Sequence, residues 1–139
     1  MRLPVDRVRV ALTLETGEAL TGDIFLAPSE PVSSVLQHHE PFMPLGLDKH
    51  VRLVARATIA CLAVAIATDR DPDVAEETQR VRVRLKSGAT IEGDLRWVAL
   101  VGHRRTVDHL NLPARFLAIH APGTTTYVLK PHVAWVEEC

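Results

Sequence analysis

The sequence is poor in the residues on which disulfide-stapled, zinc-binding and base-stacking proteins depend. It holds two cysteines, Cys61 and Cys139, and neither belongs to a Cys-x-x-Cys pair. That number is too small for a disulfide framework or a zinc ribbon and favours a reducing compartment. Aromatic residues make up 4% of the chain, which argues against a broad platform for stacking nucleic-acid bases.

The chain also lacks a strong net charge and a long apolar segment. Sixteen Lys and Arg stand against seventeen Asp and Glu, so no global field draws the chain to nucleic acid or to an anionic membrane. The longest apolar run, residues 59–67, has about half of the ~20 residues that a membrane-spanning helix needs, and it predicts a buried strand. The first ten residues lack the apolar core of a secretory signal. We therefore expect a cytoplasmic, bacterial protein without membrane association.

An internal repeat organises the sequence. Residues 10–24 and 81–95 align without a gap at an offset of 71, and both contain Gly-x4-Gly-Asp followed by an aliphatic residue. After a three-residue insertion the offset becomes 74. This second offset places Phe42, Leu45, Leu53, Val54, Arg56, Ile59 and Leu62 opposite Phe116, Ile119, Tyr127, Val128, Lys130, Val133 and Val136. The sequence therefore predicts two copies of one unit, residues 5–68 and 80–139.

The segment between the copies, residues 69–79, is polar and mostly acidic, and it shows no strand-like alternation. It predicts a linker, with a short solvated helix over residues 73–80 as the alternative. Neither interpretation assigns chemistry to this segment.

Within each copy the apolar residues recur with a period of two, which predicts strands. Gly17 and Gly88 stand where hairpin turns need a positive φ. Gly22 and Gly93 fall in the inward-facing row of the next strand, where a missing side chain lets a strand bend sharply. We predict an all-β fold with two tandem small five-stranded barrels, SH3-like or OB-like, that form a pseudo-dimer. Helix is expected only over residues 33–39 and 106–110.

Three segments of the second copy follow one another as in a known family. Residues 81–95 form an alternating strand with a Gly-x4-Gly hairpin, Asp108 and Asn111 follow within 107–112, and residues 127–136 form two aliphatic strands around Lys130-Pro131. Through these segments the second copy resembles an Sm-like domain, and the whole chain resembles a tandem duplication of one. The resemblance implies small barrels that pair their edge strands with neighbours. It also implies an RNA pocket, although Lys130-Pro131 stands where the family carries Arg-Gly.

The candidate binding residues are Arg104 and Arg105, the centre of the most basic segment, together with Asp108, Asn111 and Lys130. The basic pair could contact phosphates, or it could be a solvated loop or a patch for protein contact. Asp108 and Asn111 have a second interpretation as residues whose side chains bond nearby backbone amides and stabilise a turn.

Neither catalysis nor a cofactor is predicted. The sequence has no Gly-x-Ser-x-Gly elbow, and its seven histidines lack the spacing that makes metal ligands converge. We therefore expect no enzyme activity, no cofactor and no metal.

A proline-rich loop, residues 28–44, contains the apolar residues Val35, Leu36, Phe42 and Met43. Apolar residues in a loop stay in contact with water unless something covers them. We expect them to cap the open end of the first barrel, and the alternative is a loop that binds a partner.

Together these observations predict a non-catalytic interaction or adaptor module. It would bind a protein partner, or associate with itself, through barrel edge strands or loops. The alternative is an Sm-like protein that binds RNA. A ligand sensor with a small pocket between the two barrels is a third class that the sequence leaves open.

Overall fold

The structure, a computed structural model, describes residues 5–65, 76–98 and 105–139 and consists almost entirely of strands in these ranges. The first half contains β1 (Asp6–Leu14), β2 (Ala19–Leu26), β3 (Phe42–Gly46), β4 (Val51–Ala55) and β5 (Ile59–Val64). The second contains β6 (Glu76–Leu85), β7 (Thr90–Val98), β8 (Phe116–Ala121), β9 (Thr124–Leu129) and β10 (Val133–Glu138). The helical segments are α1 (Thr106–Leu110) and 3-10 turns at Val32–Leu36, Arg56–Thr58 and Lys130–His132. The prediction of an all-β chain is confirmed.

The ten strands form one antiparallel sheet in the order β10-β6-β7-β8-β9-β5-β1-β2-β3-β4. Each half contributes its five strands in the same internal order, and β9 of the second half pairs with β5 of the first. The prediction of two closed barrels is not confirmed, because the halves continue into one another and the outermost strands, β10 and β4, do not pair. The recurrence of apolar residues at every second position identifies which side chains face a core, but it does not determine which strands lie side by side.

The repeat extends to the pairing of individual residues. Equivalent pairs recur at the two offsets found in the sequence: Val10↔Gly22 with Val81↔Gly93, Asp23↔Gly46 with Asp94↔His120, Phe42↔Ala55 with Phe116↔Leu129, and Leu14↔Ile59 with Leu85↔Val133. The register also shifts at the same place in both halves, between Thr13 and Leu14 and between Val133 and Trp135. The two halves are therefore built on one plan, strand by strand.

The four glycines singled out in the sequence serve two purposes. Gly17 and Gly88 have φ angles of 91° and 100° and form the β1–β2 and β6–β7 turns. Gly22 and Gly93 lie where the neighbouring strand crosses closely: a Cβ at Gly22 would stand 2.6 Å from the Gly46 oxygen, and one at Gly93 would stand 2.7 Å from the His120 oxygen. A side chain at either of the latter positions would push two strands apart.

The sheet encloses two apolar clusters, and β5 contributes to both. Ile59, Leu62 and Val64 belong to the cluster of the first half, whereas Ala60 and Cys61 belong to that of the second half. The buried strand predicted for residues 59–67 is observed over Ile59–Val64; Ala65 is exposed and lies outside the strand, and residues 66 and 67 lie outside the described residues. Because β5 presents an apolar residue to each side, it holds the two halves together.

The remaining secondary-structure predictions have mixed outcomes. The predicted helix at 106–110 coincides with α1, and the one at 33–39 is replaced by the 3-10 turn Val32–Leu36. Of the predicted linker 69–79, residues 76–79 lie in β6, and residues 69–75 lie outside the described residues. Glu77 and Thr78 are both exposed there. This end of β6 therefore lacks the alternation of buried apolar and exposed polar residues by which a strand is predicted from sequence.

The proline-rich loop covers the first cluster, as expected. Val35, Leu36 and Met43 are buried in it. Phe42 is the exception, because its ring remains largely exposed.

Candidate functional site

The two outermost strands have unpaired edges in the part of the chain that the structure describes. β4 pairs only with β3, and β10 pairs only with β6. The outer backbone N–H and C=O groups of such strands are a template for pairing with another strand. We call these two surfaces the β4 edge (β4 with the adjacent Phe42) and the β10 edge (β10).

Large apolar side chains are exposed on both edges. On the β4 edge, Phe42 is 57%, Val51 53% and Leu53 66% exposed. On the β10 edge, Trp135 is 44% exposed. Apolar residues grouped along an unpaired strand are a usual mark of a contact surface.

The edges also differ in charge. Arg52 lies in the middle of β4 and makes a long ion pair, 3.8 Å, with the exposed carboxylate of Glu18. The β10 edge ends in two carboxylates, Glu137 and Glu138, both exposed. The β4 edge therefore carries one arginine and the β10 edge two carboxylates, of which Glu137 lies opposite Arg82 of β6.

One edge-to-edge contact exists inside the chain, where β9 meets β5. Phe116 and Tyr127 of the second half pack against the first cluster, and their rings meet edge to face with centroids 5.4 Å apart. Thr125, on the same face of β9 as Tyr127, is only 1% exposed. Here the side chains of one half fill the core of the other.

The predicted RNA-binding residues lie around α1. Arg105 precedes α1 and contacts the Asp108 carboxylate, with Nε to Oδ2 at 3.3 Å. Asn111 forms the C-cap of α1. Lys130 Nζ donates to the Leu112 carbonyl at 2.6 Å, and burial lowers the pKa of Lys130. Arg104 lies outside the described residues.

These contacts bear on whether the segment around α1 binds phosphates or stabilises a turn. Asp108 Oδ2 accepts from the backbone N–H of Arg105 at 3.3 Å, which is the turn-stabilising role expected for this residue. The cations Arg105 and Lys130 are both held by protein oxygens. A phosphate would have to compete with those contacts.

A feature that the sequence did not reveal is the stacking of His109 on Trp97. Their ring centroids are 5.1 Å apart, with planes inclined by 11°. Burial is the main cause that lowers the pKa of His109, and the nearby Lys130 charge adds to it. The stacked ring docks α1 on β7, and no local sequence pattern links the two residues, which are twelve positions apart in the chain.

Arg56 fastens the proline-rich loop to the sheet. Its guanidinium donates to three carbonyls, those of Val35 (2.9 Å), Glu40 (2.7 Å) and Phe42 (2.9 Å). Its repeat equivalent, Lys130, holds the Leu112 carbonyl in the same way. Both cations therefore hold the connection that precedes the third strand of their half.

We expect Arg56→Ala to lower the free energy of unfolding by about 1–2 kcal/mol, because three acceptors lose a charged donor. Arg56→Lys retains the charge but offers a single nitrogen, so it should recover less than half of the loss. Urea unfolding of the three proteins gives both values. Full recovery in the lysine variant would contradict the role assigned to the guanidinium geometry.

The seam between the halves contains an open groove of about 290 Å³. Residues of both halves line it, among them Leu36, His39, Arg56, Arg115, Leu129 and His132. His132 Nε2 lies 2.9 Å from the Ala57 carbonyl oxygen, so this ring helps to hold the halves together. The groove is the counterpart of the ligand pocket that the sequence left open, and nothing in its lining selects a ligand class.

Within the described ranges, no group of three or more His, Cys, Asp or Glu is placed to hold a metal ion. Every helical segment described is too short to span a bilayer. Comparison of the chain with family models, with curated proteins and with solved structures found no match.

Proposed function

We propose that this chain is a non-catalytic interaction module, built from two Sm-like or SH3-like barrels in tandem, that binds protein partners along its β4 and β10 edges. The observation that carries the proposal is the exposure of Val51, Leu53 and Trp135 on two strands with an unpaired side, with the exposed Phe42 beside them at the start of β3. Strand addition satisfies the backbone groups of such an edge, and the apolar side chains bury themselves in the same step.

The tandem-barrel part of the proposal is supported by the strand order that the halves share and by the glycines at the sharp crossings. Gly22 and Gly93 allow β3 and β8 to approach β2 and β7 closely. The same number and order of strands in each half, with a bend at the same position, is what a duplicated small barrel requires.

The part that concerns protein binding is supported by the junction between β5 and β9. There, two edges of the same kind as the β4 and β10 edges pair and bury Phe116 and Tyr127. An edge of this design is therefore already used for contact between protein segments.

Binding of RNA is the weaker candidate. Its residues Arg105, Asp108 and Lys130 bond protein groups, and the net charge of -1 supplies no attraction over distance. A protein partner fits the two edges, whereas the two described cations of the predicted RNA site, Arg105 and Lys130, are already bound to protein oxygens.

The test compares protein captured from nuclease-treated cell extract by immobilised wild type and by the double variant Leu53→Lys/Trp135→Lys. We expect specific proteins on the wild type and their loss on the variant, because a lysine on each edge opposes the burial of apolar surface. Val5→Lys is the matched control, since Val5 is also an exposed apolar residue but lies on neither edge.

Two results would contradict the proposal. One is capture that the edge substitutions leave unchanged. The other is retention of RNA, from extract without nuclease, that falls steeply between low and moderate salt, because such dependence indicates phosphate contacts and supports the RNA alternative.

A further inference from the structure

We propose that α1 is a pH-operated lid on the apolar cluster of the second half, closed while the His109 ring is neutral and opened when that ring takes up a proton. Three observations lead to this proposal: the position of His109 in the repeat, the surroundings of its ring, and the weak fastening of α1. The lid is separate from the β4 and β10 edges, so the proposal does not depend on what binds there.

The repeat identifies α1 as a lid. At the offset of 74, α1 is the equivalent of the 3-10 turn Val32–Leu36. That turn covers the first cluster, in which its Val35 and Leu36 are only 4% and 6% exposed. Leu110, the equivalent of Leu36, packs against the second cluster. His109 stands in the place of Val35, so the second lid has a titratable ring where the first has an aliphatic side chain.

The surroundings of the His109 ring favour its neutral form. The ring lies on that of Trp97, with centroids 5.1 Å apart, and its Nδ1 atom is buried without a hydrogen-bond partner among the described residues. In a protonated imidazole both nitrogens are donors, and a buried, charged donor without an acceptor costs free energy. Burial and the Lys130 charge accordingly lower the pKa of His109.

The charged and titratable groups around the stack do not favour a proton on His109. They are Lys130 of the β9–β10 turn, Arg105 and Asp108 at the start of α1, Glu77 of β6, Asp94 and Arg96 of β7, His120 of β8, and Glu138 of β10. Asp108 is held by Arg105, and Glu77 and Glu138 are exposed to water. The β7 pair and His120, which lies opposite Asp94, alternate to the face away from Trp97. Of these described groups, Lys130 acts on the pKa of His109, and it opposes protonation.

The second lid is fastened less firmly than the first. Arg56 donates to three carbonyls of the proline-rich loop, whereas its equivalent Lys130 donates to one, that of Leu112. With five residues, α1 is too short to be a stable helix without packing against the sheet. Its closed position therefore depends on the contacts of His109 and Leu110. The buried Nε1 atom of Trp97, which also lacks a partner among the described residues, would gain water when α1 leaves.

The direction of the pH effect follows from these contacts. In the open form the His109 ring meets water and has the ordinary histidine pKa of about 6.5, whereas the pKa of the docked ring is lower. The open form therefore binds more protons as the pH falls below about 6.5, so acid favours opening. The ratio of open to closed molecules should rise about tenfold for each pH unit below that value, until the docked ring is itself protonated. Opening brings Trp97 and the second cluster into contact with water.

The first experiment follows the purified chain by nuclear magnetic resonance from about pH 8 to about pH 5, the range in which histidine titrates. We expect the contact signals between the His109 and Trp97 rings to disappear as His109 takes up its proton. The amide shifts of residues 106–110 should move to those of an unfolded segment, while those of residues 32–36 stay unchanged. Ring contact that persists after His109 is protonated overturns the proposal, because the charged ring would then be stable on the indole as a cation–π contact.

The role of His109 is tested by giving the second lid the side chain of the first. In His109→Val the proton-binding group is lost and an apolar contact is kept, so α1 should stay closed across the pH range. At one pH unit below the ordinary histidine pKa, the amides of residues 106–110 should exchange about tenfold more slowly in this variant than in the wild type. Opening of His109→Val at the same pH as the wild type overturns the proposal.

His50→Gln is the matched control, since His50 is an exposed histidine of the β3–β4 turn. This variant should open as the wild type does, and loss of its response to acid would overturn the assignment of the response to His109. His109→Gln, a second variant without a titratable group, should likewise show no acid response in α1. Circular dichroism and urea unfolding at neutral pH verify that each variant folds.

Discussion

Substitution of Gly93 by valine should lower the free energy of unfolding by about 3 kcal/mol or more, at the upper end of overpacking costs in cores. A Cβ at this position would lie 2.5 Å from Ile119 Cγ2 and 2.7 Å from the His120 carbonyl oxygen. The isoleucine side chain can rotate, but the carbonyl belongs to the backbone of β8. The two strands must therefore separate.

The β7–β8 contact has few backbone pairs to resist that separation. Among the described residues, Asp94↔His120 is the one backbone pair that joins the two strands, whereas β6 and β7 are joined by nine, from Glu76↔Val98 to Arg84↔Thr90. We expect the valine variant to lose β8 from the sheet first. Hydrogen exchange should then show faster exchange at the β8 amides than at those of β6.

Gly88→Ala is the comparison that separates a clash from backbone strain. Gly88 has a φ of 100°, and a Cβ there would meet nothing within 4 Å. Gly88→Ala should lower the free energy of unfolding by about 1–2 kcal/mol, which is the penalty of an L-residue in a left-handed conformation. If urea unfolding gave Gly93→Val a cost below that of Gly88→Ala, the close crossing of β7 by β8 would be contradicted.

The repeat is where sequence and structure agree most closely. The Gly-x4-Gly-Asp motif and the two offsets predict which residues are equivalent, and the strand pairs follow those equivalences. The reason is physical: a turn glycine and a crossing glycine at fixed spacing determine the length of the hairpin and the position of its bend. Burial of Val35, Leu36 and Met43 followed from their apolar character alone.

The sequence could not reveal contacts between residues that are distant in the chain. The pairing of β9 with β5 depends on backbone groups, which every residue carries, so no side-chain pattern identifies it. The engagement of Lys130 with the Leu112 carbonyl and the stacking of His109 on Trp97 likewise depend on tertiary placement. Binding through edge strands was expected, but the sequence did not identify which strands form the edges, because Leu53 looks like a core residue until the structure places β4 at the end of the sheet.

Phe116 and Phe42 allow a direct measurement of what an edge contact contributes. They occupy equivalent positions, at the first residues of β8 and β3. Phe116 packs against the first cluster and against the ring of Tyr127, whereas Phe42 is largely exposed. The same substitution at both positions therefore compares one residue type in a formed and in an open junction.

We expect Phe116→Ala to lower the free energy of unfolding by about 2–3 kcal/mol, somewhat less than a fully buried phenylalanine costs. Phe42→Ala should change it by less than about 0.5 kcal/mol in dilute solution, as exposed substitutions do. Because binding of a partner stabilises the folded state, the cost of Phe42→Ala should rise once a protein partner occupies the β4 edge. Chemical unfolding of the two variants in dilute solution measures the first difference, and equal costs at the two positions would contradict the difference in burial on which the β4 edge is defined.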